Sequence, residues 1–167
     1  MRHIFREAQR EDIPEIQRLA RRIWEEAYGG LLSKEQIEYM LEMMYSESVI
    51  REELLQGTVW DLIIVEGTPL GYLSYGLWEN NSVKLFKIYV GKELRGTGIA
   101  ADSLSRVKEY ASRKGRGCVF LTVNKHNKRA IRAYEKNGFA VTASVVTDIG
   151  GGFVMDDYVM TCPVNPD

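Results

Sequence analysis

The sequence has few cysteines, no excess of basic residues and no long apolar run. Its 167 residues include two cysteines, Cys118 and Cys162, and their separation does not match the close pairs of a zinc or iron–sulfur site. Each lies in an apolar, strand-like stretch, where a small buried thiol is the usual interpretation. We therefore expect no metal site, and a core that is stable without disulfides.

Charge and hydropathy exclude two classes of partner. The formal net charge is −1, from 22 Lys and Arg against 23 Asp and Glu, so the chain lacks the basic surplus that binds nucleic acid. No stretch of about 20 apolar residues occurs, and residues 1–10 lack the apolar segment of a signal peptide. We expect no nucleic-acid partner, no membrane contact and a cytoplasmic location.

The apolar pattern predicts one α/β domain over residues 1–167. Its first half combines a strand at His3-Ile4-Phe5 with three helices. The first helix follows Asp12 and ends near Gly29-Gly30. The second begins with a capping box formed by Ser33 and Gln36, and Ser46 is expected to cap the third, which reaches Gln56.

The middle of the chain predicts an antiparallel hairpin, residues 59–65 and 70–78, with a turn at residues 66–69. In the next strand, residues 83–90, the apolar alternation slips by one residue near Phe86-Lys87. Such a slip is typical of a β-bulge, which splays neighbouring strands.

The last half predicts a parallel pair followed by antiparallel strands. A helix from Gly98 to Lys114 leads to an apolar strand, Cys118 to Val123, which gives a strand, crossover helix and parallel strand. A further helix covers residues 127–136, and strands at 139–147 and 153–161 flank a loop, Asp148 to Gly152. The predicted fold class is therefore α/β with a mixed sheet, antiparallel at first and parallel in the middle.

The segment between the bulged strand and its helix, Arg95-Gly96-Thr97-Gly98-Ile99-Ala100, has the composition of a phosphate-binding loop. Two glycines let consecutive backbone N–H groups point at one spot, and a helix N-terminus adds its partial positive charge there. Arg95 and Lys92 could contribute side-chain charge. Taken alone, the same glycines are also consistent with a tight turn.

The same residues fit the dinucleotide fingerprint Gly96-x-Gly98-x-x-Ala101, which makes an oxidoreductase an alternative. That fingerprint requires an acidic residue about 20 positions later, at the end of the next strand. Here the strand ends in Thr122-Val123-Asn124-Lys125 without an acid. This alternative is therefore disfavoured.

Two motifs resemble those of the GNAT superfamily of acetyl-CoA-dependent N-acetyltransferases. The first is Arg95-x-x-Gly98-x-Ala100 after Ile88-Tyr89-Val90. The second is Leu121-x-Val123-x-x-x-Asn127-x-x-Ala130-x-x-x-Tyr134-x-x-x-Gly138-Phe139. They stand in the family's order, and the coarse order of elements from residue 4 to 161 also suits the family's fold.

The resemblance implies acetyl-CoA as cofactor and a role for each matching residue. The pyrophosphate would bind at Arg95, Gly96, Thr97, Gly98, Ile99 and Ala100. Ile88, Tyr89 and Val90 would bind the pantetheine and the acetyl carbonyl through their backbone, and the amide of Ile88 or Tyr89 would stabilise the oxyanion. Asn127 would cap its helix and contact the cofactor, and Tyr134 would be the general acid, since a tyrosine with a pKa of about 10 can protonate a thiolate.

The general base has no clear counterpart in this sequence. Many similar proteins place a glutamate on the bulged strand, but this chain has Lys84, Phe86 and Lys87 there. Glu79, Asp148 or an ordered water are alternatives, and the base is not assigned.

The acceptor is expected to be a small amine. The candidate acceptor-site residues are Trp24, Tyr28 and Glu79. The resemblance implies that Trp24 and Tyr28 belong to the region that forms the wall of the acceptor site in similar proteins, together with the acids Glu25, Glu35, Glu38 and Glu42. Aromatic and acidic side chains there would suit a cationic amine. Residues 148–158 are similar to the tail of some bacterial family members, including polyamine acetyltransferases. A protein or peptide amine as the acceptor, and a non-catalytic acyl-CoA-binding regulatory module, remain alternatives. Dimers are common among similar proteins, so a homodimer is also expected.

Overall fold

The computed structural model describes residues 2–166, which form two compact units. Unit one comprises residues 2–74 and 87–99, and unit two comprises residues 75–86 and 100–166. The prediction of a single domain over residues 1–167 stays a prediction. No helix in the described range is long and apolar enough to cross a membrane.

Unit one contains three helices and the first strands of the sheet. The strands are β1 (His3–Glu7), β2 (Val59–Val65) and the first part of β3 (Thr68–Trp78), and the helices are α1 (Ile13–Tyr28), α2 (Lys34–Tyr45) and α3 (Glu47–Leu55). The expected boundaries of α1 are confirmed, since its buried apolar residues recur every three or four positions as a helix requires. They are Ile13, Ile16, Leu19, Ala20, Ile23 and Trp24.

The predicted helix caps have different outcomes. Ser33 Oγ accepts a hydrogen bond from the Gln36 N–H at 3.1 Å, so the start of α2 is confirmed. Ser46 is the N-cap residue of α3, as expected, but its side chain makes no capping hydrogen bond.

Unit two contains two helices and the last strands. These are α4 (Ile99–Arg113, whose first residue belongs to unit one), β5 (Cys118–Asn124), α5 (Lys128–Lys136), β6 (Ala140–Gly150) and β7 (Phe153–Pro163). Along β5 and β7 the buried residues alternate, and we call the face that carries Val119, Leu121, Met160 and Cys162 the buried face. A Cβ on Gly138, just after α5, would lie 3.3 Å from Cys162 Sγ, so the end of α5 packs on this face.

The opposite side of the same two strands, which we call the exposed face, carries Phe120, Thr122, Val159 and Thr161, all half-buried or exposed.

The seven strands form one mixed sheet in the order β1-β2-β3-β4-β5-β7-β6, where β4 is Ser82–Val90. The pairs β1–β2, β5–β7 and β6–β7 are antiparallel, and β4–β5 is parallel. The predicted fold class is confirmed.

The parallel pair is short. Its register comprises three pairs of residues and ends at Lys84 and Phe120, although β4 continues to Val90 and β5 to Asn124. This early end is what the predicted splaying requires, and the bulge at Phe86-Lys87 stays a prediction.

Two predicted turns were too long. The first hairpin turns at Glu66 and Gly67, with φ of 49° and 82°, and β3 already begins at Thr68. The predicted loop Asp148 to Gly152 is a two-residue turn at Gly151 and Gly152, with φ of 63° and 81°. Both turns have positive φ at two successive residues, which matches the right-handed twist of paired strands and lets the strands extend further.

Candidate active site

The loop between β4 and α4 has the backbone of an anion-binding site. A short 3₁₀ helix, Lys92–Leu94, leads into it. Gly96 and Gly98 have φ of 75° and 82°. Between them, Thr97 donates from both its N–H and its hydroxyl to the Leu94 carbonyl, at 3.3 and 2.5 Å. A Cβ on either glycine would meet nothing within 4 Å, so the loop borders open space.

This geometry fits a pyrophosphate group. The helix α4 begins at Ile99, and the amides in the first turn of a helix have no carbonyl to bind within the helix. Together with the positive end of the helix dipole, they favour an anion at this position. The absence of Cβ atoms at Gly96 and Gly98 allows phosphates to approach the backbone. The cofactor role of residues 95–100 stays a prediction that this backbone supports.

The end of β4, with half-buried Ile88, Tyr89 and Val90, is held firmly against β3. A Cβ on Gly71 would lie 2.8 Å from the Tyr89 carbonyl oxygen and 3.2 Å from Val90 Cα. The Gly91 N–H also donates to the Leu70 carbonyl at 2.9 Å. Such close contact fixes the backbone of β4 in place, and a fixed backbone is what an oxyanion-stabilising amide needs.

The side chain of Tyr89 belongs to an aromatic cluster in unit one. Its ring lies 5.5 Å from that of Trp24 and 5.7 Å from that of Tyr72, between centroids. The predicted cofactor-binding role of Tyr89 therefore depends on its backbone N–H and not on its side chain. Trp24 is 2% exposed and lies in the core, whereas Tyr28, 4.7 Å from it, is half-buried. Of these two candidate acceptor residues, Tyr28 is the one that reaches the surface.

Hydrogen bonds between buried hydroxyls hold the cluster together. Trp24 Nε1 donates to the Tyr45 hydroxyl at 3.0 Å, and the hydroxyls of Tyr45 and Tyr72 lie 2.8 Å apart. Burial raises the pKa of both tyrosines well above its usual range, so that both stay protonated. Tyr45 and Tyr72 therefore stabilise the cluster through hydrogen bonds of their neutral hydroxyls.

Lysines occupy the stretch of β4 where many similar proteins have a glutamate. Lys87 is 9% exposed, and its Nζ lies 5.3 Å from the ring of Tyr45, 5.1 Å from that of Trp60 and 4.0 Å from Glu53 Oε2. In unit two, Lys84 Nζ lies 4.7 Å from the Trp78 ring, and burial lowers the pKa of Lys84. Both lysines contact aromatic rings, and neither supplies the carboxylate that many similar proteins have on this strand.

The second predicted motif lies in unit two. Asn127 Oδ1 accepts from the Ala130 N–H at 3.2 Å, which confirms Asn127 as the N-cap of α5. Tyr134 is half-buried and makes an edge-to-face contact with Phe139, at 6.0 Å between centroids. Asn127, Ile131 and Tyr134 share one face of the helix, as their spacing predicts.

The two acids considered as bases are exposed and close to turns. Glu79 lies just before β4, where its carbonyl accepts from Ser82 Oγ at 2.5 Å. Asp148 Oδ1 accepts from the Gly150 N–H at 2.8 Å, at the end of β6. Neither carboxylate is held in a buried position.

A different carboxylate, Asp157 on β7, is buried at 4% exposure, and sequence analysis did not single it out. Its signal was present in the sequence, because Asp156 and Asp157 interrupt a strand that is otherwise rich in apolar residues. Successive residues of a strand point to opposite faces, so one of two adjacent acids must point to each face. Among the described residues no group of His, Cys, Asp and Glu is arranged to bind a metal ion.

Comparison with known families decides the class of this protein. The model of the acetyltransferase (GNAT) family matches residues 13–139. This chain belongs to the GNAT family. It is therefore an acetyl-CoA-dependent N-acetyltransferase, as the resemblance of its two motifs implied.

Relatives of this GNAT protein include a bovine (Bos taurus) thialysine N-epsilon-acetyltransferase. It is 30% identical over 144 residues, which cover 81% of this chain and 82% of the relative. The PaiA N-acetyltransferase from Thermoplasma acidophilum, solved with coenzyme A, has a TM-score of 0.83 at 23% identity and covers 98% of this chain and 99% of its own. A Salmonella typhimurium acetyltransferase solved with acetyl-CoA has a TM-score of 0.69 at 20% identity, with coverages of 100% and 96%. The two structures support the fold.

Proposed function

We propose that this GNAT protein transfers the acetyl group of acetyl-CoA to the primary amine of a small cationic molecule, such as a polyamine. The amine would attack directly, within a ternary complex. The observation that carries this proposal is the 30% identity to a thialysine N-epsilon-acetyltransferase along four fifths of the chain, because the name of that relative gives a small amine as its substrate.

The surface of unit one is consistent with a cationic acceptor. Tyr28 presents an aromatic ring that can bind an ammonium group. The helices α1 and α2 also carry exposed acids, which include Glu25 on α1, and Glu35 and Glu42 on α2. Glu25 and Glu38 contribute less than Glu35 and Glu42, because Arg21 forms an ion pair with each of them, at 3.6 and 2.5 Å.

The proposed chemistry assigns one task to each element. The backbone from Arg95 to Ala100 orients the pyrophosphate of acetyl-CoA. Amide groups at the fixed end of β4 donate hydrogen bonds to the oxygen of the acetyl carbonyl. When bound, acetyl-CoA supplies the thioester. Tyr134 would donate its proton to the departing thiolate sulfur, which makes the loss of the thiol easier.

The decisive test measures the release of free CoA thiol from acetyl-CoA with a panel of amines. The panel contains putrescine, spermidine, lysine, thialysine, an aminoglycoside and short peptides, and acetyl-CoA binding is measured in parallel by calorimetry. We expect thiol release that depends on a small amine and that is fastest with the polyamines or thialysine.

Other outcomes would replace the proposal by a defined alternative. Release with peptides alone would favour a protein or peptide amine as the acceptor. Binding without release by any amine would favour a non-catalytic acyl-CoA-binding module. A homodimer stays a prediction, which the same preparation tests by light scattering.

A further inference from the structure

Asp157 is a buried acid on the exposed face of unit two. The pairing of β5 with β7 runs without a shift from Cys118 and Pro163 to Asn124 and Asp157. Asp157 therefore lies on the same face as Val159 and Thr161, which are half-buried. Asp157 itself is 4% exposed, and its Oδ1 has no hydrogen-bond partner in the described part of the chain.

A buried carboxylate oxygen without a partner is costly, so its presence calls for an explanation. The adjacent Asp156 has an ordinary structural role on the other face. Its Oδ1 forms an ion pair with Lys125 Nζ at 2.9 Å, although no hydrogen bond of regular geometry to that oxygen is found among the described residues, and its side chain is 47% exposed. Lys125 thus pairs with Asp156, and Asp157 is left available for a ligand.

Asp157 also lies on the strand next to the part of β5 that extends beyond its registered pairing with β4. Its partner on β5 is Asn124, four residues beyond Phe120, where the register of β4 with β5 ends. Asn124 in turn leads into α5, since its Oδ1 accepts from the His126 N–H at 2.8 Å. The carboxylate is therefore on the strand next to the segment of β5 that precedes Asn127 and Tyr134.

We propose that Asp157 is the general base of acetyl transfer and accepts the proton that the acceptor ammonium must lose. This inference rests on the proposed function. One proton moves from the ammonium nitrogen to Asp157, directly or through one water, and then to solvent. The free amine forms the C–N bond as the C–S bond breaks. The second proton leaves the nitrogen after the C–N bond has formed and passes through solvent to the Tyr134 phenolate, which has given its own proton to the thiolate, so that one proton in total is released to solvent.

The surroundings give Asp157 the properties of a base. Burial raises the pKa of its carboxyl, and the charge of Asp156 acts in the same direction, whereas Lys125 opposes them. A carboxylate with a raised pKa holds a proton more strongly, and a base works best when its pKa approaches the working pH. The base is active when deprotonated, so activity falls as the pH drops through this pKa.

The test compares Asp157→Asn with Asp156→Asn, its neighbour on the opposite face. For Asp157→Asn we expect kcat/KM for the best amine to fall by about 10² to 10⁴ through kcat, with unchanged acetyl-CoA affinity. The acidic limb of the pH profile should disappear. Asp156→Asn should keep that limb and a kcat/KM within about threefold of the unmodified protein, since a surface ion pair contributes little.

Asp157→Ala supplies an independent readout. Because the deleted side chain leaves room, added formate should restore part of its activity, and the same formate should not affect Asp156→Asn. An acidic limb that persists in Asp157→Asn, an effect on KM alone, or no rescue of a folded Asp157→Ala would overturn the assignment. If the unmodified protein shows thiol release with an amine, the proposed function survives each of these results. If it shows none, both proposals fail.

Discussion

Burial separates the tyrosines of this protein into two groups with different chemistry. Tyr45 and Tyr72 are 3% and 0% exposed, and desolvation keeps both protonated. Tyr134 is half-buried on α5, two residues before that helix ends at Lys136. A hydroxyl at the surface of a helix can reach a substrate, whereas a buried hydroxyl acts by holding its neighbours. The same substitution, Tyr to Phe, should therefore have opposite consequences at the two kinds of site.

Replacing Tyr134 by Phe should lower kcat by about 10² or more and leave acetyl-CoA affinity and thermal stability near their original values, because the hydroxyl supplies a proton. Tyr45→Phe should do the reverse. It leaves Trp24 Nε1–H and the Tyr72 hydroxyl without their partner, which costs about 1 to 3 kcal/mol of unfolding free energy and spares kcat. Thiol-release kinetics and thermal melts measure both effects. An unchanged kcat in Tyr134→Phe would remove this residue from the proposed role.

At the scale of elements, sequence patterns predicted the interiors of strands and helices better than their ends. Buried positions repeat with the period of the element, so α1 and β5 could be recognised from residues that are far apart. The start of β3 at Thr68 and the end of β6 at Gly150 each depend on a turn of two residues with positive φ. A non-glycine residue such as Glu66 adopts a positive φ only when the pairing of the two strands requires it.

The candidate site shows the same division between local and non-local information. The loop at Gly96 and Gly98 and the cap at Asn127 were predictable, because each uses contacts between residues close together in the chain. The isolation of Asp157 Oδ1 was not, since it depends on Lys125 pairing with Asp156 across two strands. Charge partners on different elements cannot be read from a single strand.

The loop before α4 provides a test at this scale. Gly98→Ala forces an alanine to φ near 82°, which costs about 1 to 2 kcal/mol, and adds a methyl group on the side where the pyrophosphate is expected. The acetyl-CoA Kd should rise about tenfold or more, since 1.4 kcal/mol corresponds to a factor of ten. Calorimetric titration measures it.

Gly115→Ala, at the other end of α4, is the matched control. Its φ is 71°, and a Cβ there would also meet nothing within 4 Å, so it carries a similar backbone cost. Its acetyl-CoA Kd should stay within about twofold of the original value, because no anion is expected at a helix C-terminus. Equal losses of affinity in the two variants would show that the effect of Gly98→Ala is one of stability and not of binding.

At the scale of the whole molecule, cofactor binding should be visible as thermal stabilisation. The folded chain binds acetyl-CoA and the unfolded chain does not, so a concentration of 100 times Kd adds about 2.7 kcal/mol to the free energy of unfolding. For a chain of 167 residues that raises Tm by about 5 to 11 °C. Differential scanning calorimetry with acetyl-CoA, with NADH and without ligand measures it. NADH should leave Tm unchanged, because the strand after the glycine loop lacks the acid that binds a ribose. A rise with NADH equal to that with acetyl-CoA would contradict the assignment of the loop to a CoA pyrophosphate.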